Sequence, residues 1–184
     1  MKIKDFCQVK SGFQGKPTQG NIYSQIKLKD VDKEGNIDYS NLSEFECKEI
    51  PLRFLLEKND IIFKAKCADN SAALIDVNLA NTVATAHFLV LTIQDTNQVD
   101  PTYLTMYLNS DYAQSYFKLN AQGATVPMIR LSTLQELDVL LPPIEKQREI
   151  AETYRLVKEE KAIMEQLIQN RENQFKAYLQ KVLG

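Results

Sequence analysis

The segment DYSNLSEFECK contains three residues whose types could support metal-dependent cleavage of DNA. Asp38 and Glu46 could hold a divalent ion beside the ammonium group of Lys48. Their spacing is loose, and three such residues often occur together by chance. His87 is the only histidine and opens an apolar strand, so the sequence offers no catalytic dyad with a second histidine and no zinc set. We therefore expect no catalytic residue, metal or cofactor in this chain, with a stand-alone nuclease as a minor alternative.

A second group of polar residues has the types that contact DNA. Lysine suits phosphates, and glutamine can pair with adenine through two hydrogen bonds. The loop GFQGKPTQG is not a P-loop, because no G-K-[ST] follows at the required spacing. For each candidate taken alone, an ordinary solvated position is the alternative. The candidates are Gln14, Lys16, Thr18 and Gln19 in this loop, Lys64, Lys66, Asn70 and Ser71 in a second segment, and Gln122, Thr125 and Arg130 in a third.

Charge is unevenly distributed along the chain. The formal net charge is −2, which argues weakly against nucleic acid as a partner. Residues 1–30, however, hold six lysines and two aspartates and so carry +4, whereas residues 31–117 hold six basic and thirteen acidic residues and carry −7. Because phosphate binding needs a local patch and not a high total, the basic first segment keeps DNA binding open.

The cysteines and the first residues bear on the cellular compartment. Cys7, Cys47 and Cys67 are odd in number and far apart, which predicts reduced thiols in the core. The start MKIKDFCQVK has no apolar signal-peptide region, and no run approaches the roughly 18 apolar residues of a membrane span. These observations predict a cytoplasmic protein.

Strand and helix patterns are interspersed up to Pro142-Pro143, which predicts a mixed α/β domain over residues 1–143. FLLEKNDIIFKAKCA indicates two strands around a turn at Asn59-Asp60, and HFLVLTI a buried strand. Asp100 and Pro101 predict a helix start, and LDVLL predicts a last short strand. In the second of the two strands, Ile61, Phe63, Ala65 and Cys67 would share one face, with Lys64 and Lys66 on the other. Along the helix, the apolar stripe would hold Leu104, Leu108, Tyr112, Tyr116 and Leu119.

A long helix is predicted from residue 144 to residue 184. Its apolar side chains recur at alternating steps of four and three residues, which is the seam of a coiled coil. The series is Ile150, Tyr154, Val157, Lys161, Met164, Ile168, Arg171, Phe175, Tyr178 and Val182. Its eight apolar members are the predicted contacts of a homodimer formed through this helix.

The predicted helix is too long for the domain that precedes it. About forty residues at about 1.5 Å each span about 60 Å, whereas a domain of about 140 residues is only about 35–40 Å across. The helix should therefore project and bind a partner helix. The alternative is that it folds back onto its own domain.

The order of segments resembles the specificity subunits of type I restriction–modification systems. The resemblance covers essentially the whole chain, and its most specific part is VDPTYLTMYLNSDYAQSYFKLNAQGATVPMIRLSTLQELDVLLPPIEKQREIAETY. This segment combines a helix opened by D-P-x-Y-L, a Gly-containing loop, a short strand, L-P-P and a Q-x-x-I helix start. Asn59-Asp60 stands where the family usually has Gly-Asp. A full specificity subunit resembles two target-recognition domains with two spacer helices, whereas this chain has one of each.

The resemblance implies a non-catalytic protein that recognises DNA. The domain over residues 1–143 would recognise one half of a split double-stranded target. The helix over residues 144–184 would set the spacing and dock methyltransferase (modification) subunits. Those partners would methylate DNA, and a restriction subunit, where one exists, would cleave it, using S-adenosylmethionine and ATP. An alternative of another class is a coiled-coil adaptor or oligomerisation protein whose α/β domain binds a ligand or a protein.

Overall fold

The computed structural model describes residues 1–123 and 127–183. In these residues, seven strands precede three short α-helices and one long α-helix. The strands are β1 (Cys7–Ser11), β2 (Asn21–Ile26), β3 (Ser43–Cys47), β4 (Ile61–Lys64), β5 (Ala72–Leu74), β6 (Thr82–Ala84) and β7 (Phe88–Ile93). The helices are α1 (Pro101–Leu108), α2 (Asp111–Asn120), α3 (Leu131–Gln135) and α4 (Ile144–Leu183). The mixed α/β class and the long C-terminal helix are thus confirmed.

A four-stranded antiparallel sheet forms the centre of the domain, in the order β1-β7-β4-β5. Both faces of β4 are covered. Ile61 and Phe63 face the cluster that includes Leu104 and Phe117 of the helices, whereas Ile62 faces a second cluster that includes Ile26 of β2. A strand buried on both faces has no solvent side, so Lys64, although it does not share the face of Ile61 and Phe63, is buried as well.

A second sheet has three strands in the order β3-β2-β6. β2 is antiparallel to β3 and parallel to β6. Tyr23 and Phe45 lie opposite each other and pack with Phe13. This small aromatic cluster holds the loop between β1 and β2 against the second sheet.

The helix start at Asp100 and Pro101 is confirmed. The Asp100 carboxylate accepts a hydrogen bond from the Tyr103 amide at 2.9 Å. The helix ends after Leu108, however, and α2 follows as a separate helix with Ser110 as its N-cap.

The predicted stripe along this helix is therefore wrong in its second half. Tyr112 and Leu119 are 60% and 85% exposed, and Ala113 and Phe117 are buried in their place. The physical reason is Asn109, whose side chain donates to the carbonyl of Ala72 and accepts from its amide, both at 2.8 Å. This pairing with β5 ends α1 and resets the helical phase.

Two predicted strands are reduced to single bridges. Residues 52–54 form a 3-10 turn, and Leu55 bridges only Val83. The turn that follows is confirmed, with Asn59 at φ 76°. In LDVLL only Asp138 pairs, with Lys2, and the Val139 amide donates to the Met1 carbonyl at 2.7 Å. The first and last parts of the domain thus meet.

Helix α4 begins at Ile144, as predicted, and runs for 40 residues. Gln147 and Ala151 near its start are buried against the domain. Its apolar side chains from Leu156 to Val182 are mostly more than half exposed. The helix therefore projects and does not fold back onto its own domain. Its separation from residues 1–143 as an independent unit stays a prediction.

The three cysteines are free thiols in different environments. Cys7 is buried, and this burial raises its pKa to about 12. Cys47 and Cys67 are only partly buried, so the prediction of core thiols holds for Cys7 alone. None of the helices in the described residues is long and apolar enough to cross a membrane.

Candidate nucleic-acid interface

The Gly-rich loop between β1 and β2 presents exposed polar side chains on an anchored backbone. Gln14, Lys16 and Gln19 are exposed. The Thr18 amide donates to the Glu46 carbonyl at 3.0 Å, and the Thr18 hydroxyl accepts from the Lys48 amide at 3.1 Å. Thr18 therefore fastens the loop to β3, and the side chains beside it are left free to meet a partner.

A close backbone approach fixes the other end of this loop. The Gly12 amide donates to the Phe88 carbonyl at 3.0 Å, and the Phe13 amide donates to the Ala84 carbonyl at 2.7 Å. A Cβ atom on Gly12 would lie 2.2 Å from the Thr85 carbonyl oxygen. Glycine is required here because this contact leaves no room for a side chain. The contact brings the loop next to the segment that joins β6 to β7.

The end of β4 reaches the same place. The amides of Ala65 and Lys66 both donate to the His87 carbonyl, at 2.9 and 3.2 Å. The Lys66 and His87 side chains are exposed. The Ile129 amide donates to the Ala65 carbonyl at 2.8 Å, so the third predicted segment is attached here as well.

These elements enclose a cleft of about 350 Å³. Its apolar wall includes Phe13, Phe45 and Val83. Among the described residues, the buried Thr85 hydroxyl has no hydrogen-bond partner. Such an unpaired buried group is costly unless a bound molecule or water supplies the partner. Besides Thr85, the polar and charged side chains that line the cleft are Gln14, Gln25, Lys66 and His87.

Lys64, Asn70 and Ser71 are held inside the domain. Lys64 is 3% exposed, and its ammonium group donates to the Asp69 carboxylate at 2.8 Å and to the Asp32 carbonyl at 3.0 Å. The buried Asn70 side chain donates to the Lys64 carbonyl at 2.9 Å, and the buried Ser71 hydroxyl donates to the Asp32 carbonyl at 3.2 Å. These three side chains bind the protein's own backbone, so we leave them out of the proposed interface.

The ionisation of Asp69 reflects the same network. Burial alone would raise the pKa of its carboxyl, but hydrogen bonds from Lys64 and Ser71 and the Lys64 charge outweigh burial. The pKa of Asp69 is therefore held below its ordinary value, and the carboxylate stays ionised beside Lys64.

The remaining candidates of the third segment are only partly described. Gln122 is exposed and bridges Met128. Arg130 is exposed at the start of α3. Thr125 lies outside the described residues. Gln122 and Arg130 thus lie near the point where the Ile129 amide ties this segment to Ala65.

The possible nuclease residues lie in different settings. The Asp38 carboxylate accepts hydrogen bonds from the amide and hydroxyl of Ser40, at 2.9 and 2.6 Å, and these bonds lower its pKa. Glu46 is on β3, and Lys48 follows that strand. Within residues 1–123 and 127–183, no three His, Cys, Asp or Glu side chains are grouped to hold a metal ion.

A family model decides the identity of this fold. The model for the type I restriction modification DNA specificity domain matches residues 1–172. The chain belongs to this family. The resemblance of its segments to type I specificity subunits is thereby confirmed. No curated protein matches this specificity domain.

Solved structures share the fold of this specificity domain. The HsdS subunit from Thermoanaerobacter tengcongensis is 19% identical with a TM-score of 0.71, over 91% of this chain and 43% of that chain. The type I restriction-modification S subunit from M. genitalium is 21% identical with a TM-score of 0.59, over 86% and 38%. A chain from a structure on complex assembly and conformational transition of the type I R-M system is 16% identical with a TM-score of 0.68, over 89% and 43%. The specificity domain thus spans about two fifths of each solved chain.

Sequence reasoning missed three polar side chains of the cleft, namely Gln25, Thr85 and His87. The position of His87 at a strand end was predicted correctly, since it directly precedes β7. Its closeness to Gln14 and Lys66 depends on pairing between distant segments, which no local pattern announces. Gln25 lies on the same face of β2 as Tyr23, and the alternation of that strand was the available signal.

The predicted seam of α4 falls into two parts. Ile150 and Tyr154 are partly buried against the domain. The other apolar members are 54–61% exposed, namely Val157, Met164, Ile168, Phe175, Tyr178 and Val182. The stripe that packs on the specificity domain therefore continues along the helix without cover from the described residues of the same chain.

Proposed function

We propose that this chain recognises one half of a two-part DNA target as the non-catalytic specificity component of a type I restriction–modification complex. Membership of the specificity family supports the proposal. The observation that carries it is the convergence of the Gly-rich loop, Lys66 and His87 around one cleft. Three separate segments supply polar side chains to this edge, and the backbone beneath them is fixed.

The chemistry of this edge suits a DNA duplex. Lys16 and Lys66 provide exposed ammonium groups for phosphates. Gln14 and Gln19 provide amides that can pair with adenine in the major groove. Lysine contacts contribute affinity on any sequence, whereas the amides discriminate between bases.

Methylation and cleavage belong, in this proposal, to partner subunits. The chain would bring methyltransferase subunits to the target, and a restriction subunit where the system has one. The partners would supply the S-adenosylmethionine and ATP chemistry. The faces of α4 outside its apolar stripe are suited to such docking, because the helix projects from the domain and its polar side chains are exposed there.

A second copy of this chain is the proposed occupant of the α4 seam. The seam continues an interface that already exists, since Ile150 and Tyr154 of the same stripe pack on the domain. Its heptad spacing is that of helices which pair with one another. A pair of copies would also supply the second half of a split target, which one domain lacks.

Binding of duplexes to the purified chain tests this function. We expect selection from a random duplex library to enrich one half-site motif. Lys16→Ala should lower affinity on every sequence and reduce the salt slope by about 1. Gln19→Ala should instead relax preference at one base pair, by about 1–3 kcal/mol of discrimination. Lys176→Ala, an exposed lysine on the helix, is the matched control and should leave the motif unchanged.

Two outcomes would contradict the proposal. A chain with no salt-sensitive affinity for duplex DNA, alone or with an adjacent methyltransferase, would favour the adaptor alternative. Cutting of duplex DNA with magnesium by the purified chain, lost in Asp38→Ala, would favour the nuclease alternative.

A further inference from the structure

One charged residue interrupts the apolar stripe of α4 where the helix leaves the domain. Lys161 occupies a seam position, and its ammonium group pairs with the Glu34 carboxylate. Glu34 lies in a short loop closed by the bridge between Val31 and Ile37; we call residues 31–37 the brace loop. The lysine in the seam is therefore used by the chain's own domain.

The brace loop is internally rigid. One oxygen of the Asp32 carboxylate accepts from the amides of Glu34 and Asn36, both at 2.8 Å, and the other accepts from the Asn36 side chain at 2.7 Å. Gly35 has φ +76°, and a Cβ atom there would lie 2.1 Å from the Ala72 carbonyl oxygen. These contacts restrain the loop and hold it against β5.

Buried side chains tie this loop to the central sheet. The Asp32 carbonyl accepts hydrogen bonds from Lys64 at 3.0 Å and from Ser71 at 3.2 Å. Lys64 is the last residue of β4. These bonds attach the brace loop, and with it Glu34, to the central sheet.

Gln147 fixes the helix at a second point. It is 1% exposed, and its side-chain oxygen accepts from the Asp100 amide at 3.0 Å. Its side-chain nitrogen donates to the carbonyls of Gln98 and Pro142, at 3.0 and 2.8 Å. One side chain therefore joins the start of α4 to the start of α1 and to the segment that enters the helix.

Gln147 and Lys161 lie far apart along the helix, and Ile150, Ala151 and Tyr154 pack on the domain between them. Gln147 and Lys161 are 14 residues apart, which is about 21 Å of helix. A tilt of about 10° about Gln147 would move Leu183, about 54 Å away, by about 9 Å. That displacement is nearly three base-pair steps of about 3.4 Å. A small change of helix angle therefore moves the far end of α4 by a large distance.

We propose that Gln147 and the Glu34–Lys161 pair set the angle between α4 and the domain and thereby select the distance between two DNA half-sites. The last step of this inference rests on the proposed function. The ion pair is half exposed and therefore adds little to overall stability, so the role proposed for it is to restrict the helix angle. Glu34, Lys161 and Gln147 are positioning residues for recognition of target length.

The helix angle is measurable without DNA. Nitroxide labels carried by unnatural amino acids in place of Lys118 and Glu172, both exposed, would report the distance from domain to helix by pulsed electron resonance. Labelled chain would be diluted in excess unlabelled chain, so that only distances within one chain are seen. We expect a narrow distribution for the parent chain and one at least twice as wide for Glu34→Lys.

Charge reversal supplies the control. Lys161→Glu in the Glu34→Lys background restores an ion pair of opposite sense and should narrow the distribution again. Glu160→Lys makes the same charge change as Glu34→Lys, at the residue next to Lys161. It should leave the width of the distance distribution unchanged. Gln147→Met should widen the distribution as well, with circular dichroism used to verify the fold. If the distance distributions of the parent, Glu34→Lys and Gln147→Met chains were equally wide, the proposal that these residues set the helix angle would be wrong.

A second assay tests whether the helix angle affects the spacing of the two DNA half-sites. Once the half-site motif is known, duplexes with the two half-sites moved apart or together by one to three base pairs would be compared. We expect Glu34→Lys to lower the preference for one spacing over its neighbours at least fivefold while the half-site sequence stays the same. A wider helix distribution with unchanged spacing preference would overturn the link to target length. Lack of DNA binding by the parent chain would instead count against the proposed function.

Discussion

Lys64 shows why the type of a residue is a weak guide to its role. Its place in FKAK suggests an alternating surface strand, yet both faces of β4 are covered. A lysine is rarely buried unless its charge is paired, and here Asp69 supplies the opposite charge. The side chain that resembled a phosphate contact stabilises the brace loop and the turn before β5.

We expect Lys64→Met to destabilise the fold by about 2 kcal/mol, because it leaves the partly buried Asp69 carboxylate and the Asp32 carbonyl without their partner. Urea unfolding at neutral pH measures the loss. Lys66→Met, two residues along and exposed, is the matched control and should change stability by less than about 0.5 kcal/mol.

The pH dependence of this loss has a definite sign. The pKa of Asp69 is lower in the folded chain than its ordinary value of about 3.9. Its ionised form therefore adds stability above about pH 4, and that stability is lost as the pH falls through the folded pKa. The difference between the parent chain and Lys64→Met should shrink between pH 5 and pH 3. An equal difference at both pH values would show that lost packing, and not charge, is responsible.

Among the elements, those with local signals were predictable. Asp100 and Pro101 mark the start of α1 because capping acts within one helical turn. Pro142-Pro143 and the regular apolar spacing mark α4, since both are signals carried by neighbouring residues. The break between α1 and α2 was not predictable, because it depends on Asn109 pairing with Ala72, 37 residues earlier.

In the candidate interface, too, the parts with local sequence signals were predictable and the parts that depend on distant segments were not. The Gly-rich loop was predictable from its composition, since glycine and proline mark loops. The cleft beside it was not, because it requires Gly12 against Thr85 and Lys66 against His87. Such neighbours are set by the sheet order, and one sequence carries no pattern for pairing between distant strands.

The exposed seam of α4 leads to a prediction about association. Val157→Lys with Met164→Lys should convert a dimer into a monomer, because both changes place charges in the apolar stripe. Light scattering should show the mass falling by half. Gln166→Lys with Asn173→Lys adds the same charge on the opposite side of the helix and should leave the dimer intact. A parent chain that is monomeric at tens of micromolar would contradict self-association through this stripe.

Two copies joined through α4 would form a molecule with two identical DNA-binding ends. A two-fold axis relates the copies of such a pair. Identical surfaces related in this way meet inverted copies of one half-site. The symmetry of the protein would then determine the symmetry of its target.

We therefore expect the target to be an interrupted palindrome. Its central gap should be of the order of half to one turn of DNA, since the helices hold the two domains tens of ångströms apart. Sequencing of methylated bases in cells that carry the system would reveal the motif. An asymmetric two-part motif would mean that this chain pairs with a different half-subunit. If the methylated motif stayed the same in cells from which this protein had been deleted, the proposed specificity role would be wrong.

The meeting of the first and last parts of the domain has a consequence for biosynthesis. The Met1 amino group donates to the Val139 carbonyl at 3.0 Å, and Lys2 bridges Asp138. Met1 and Val139 are separated by 138 residues, which take about 7 to 28 s to translate at about 5 to 20 residues per second. Strand β1 itself waits for β7. The nascent chain therefore carries β1 unpaired until β7, about 80 residues later, has been made, and chaperones have that interval in which to bind it.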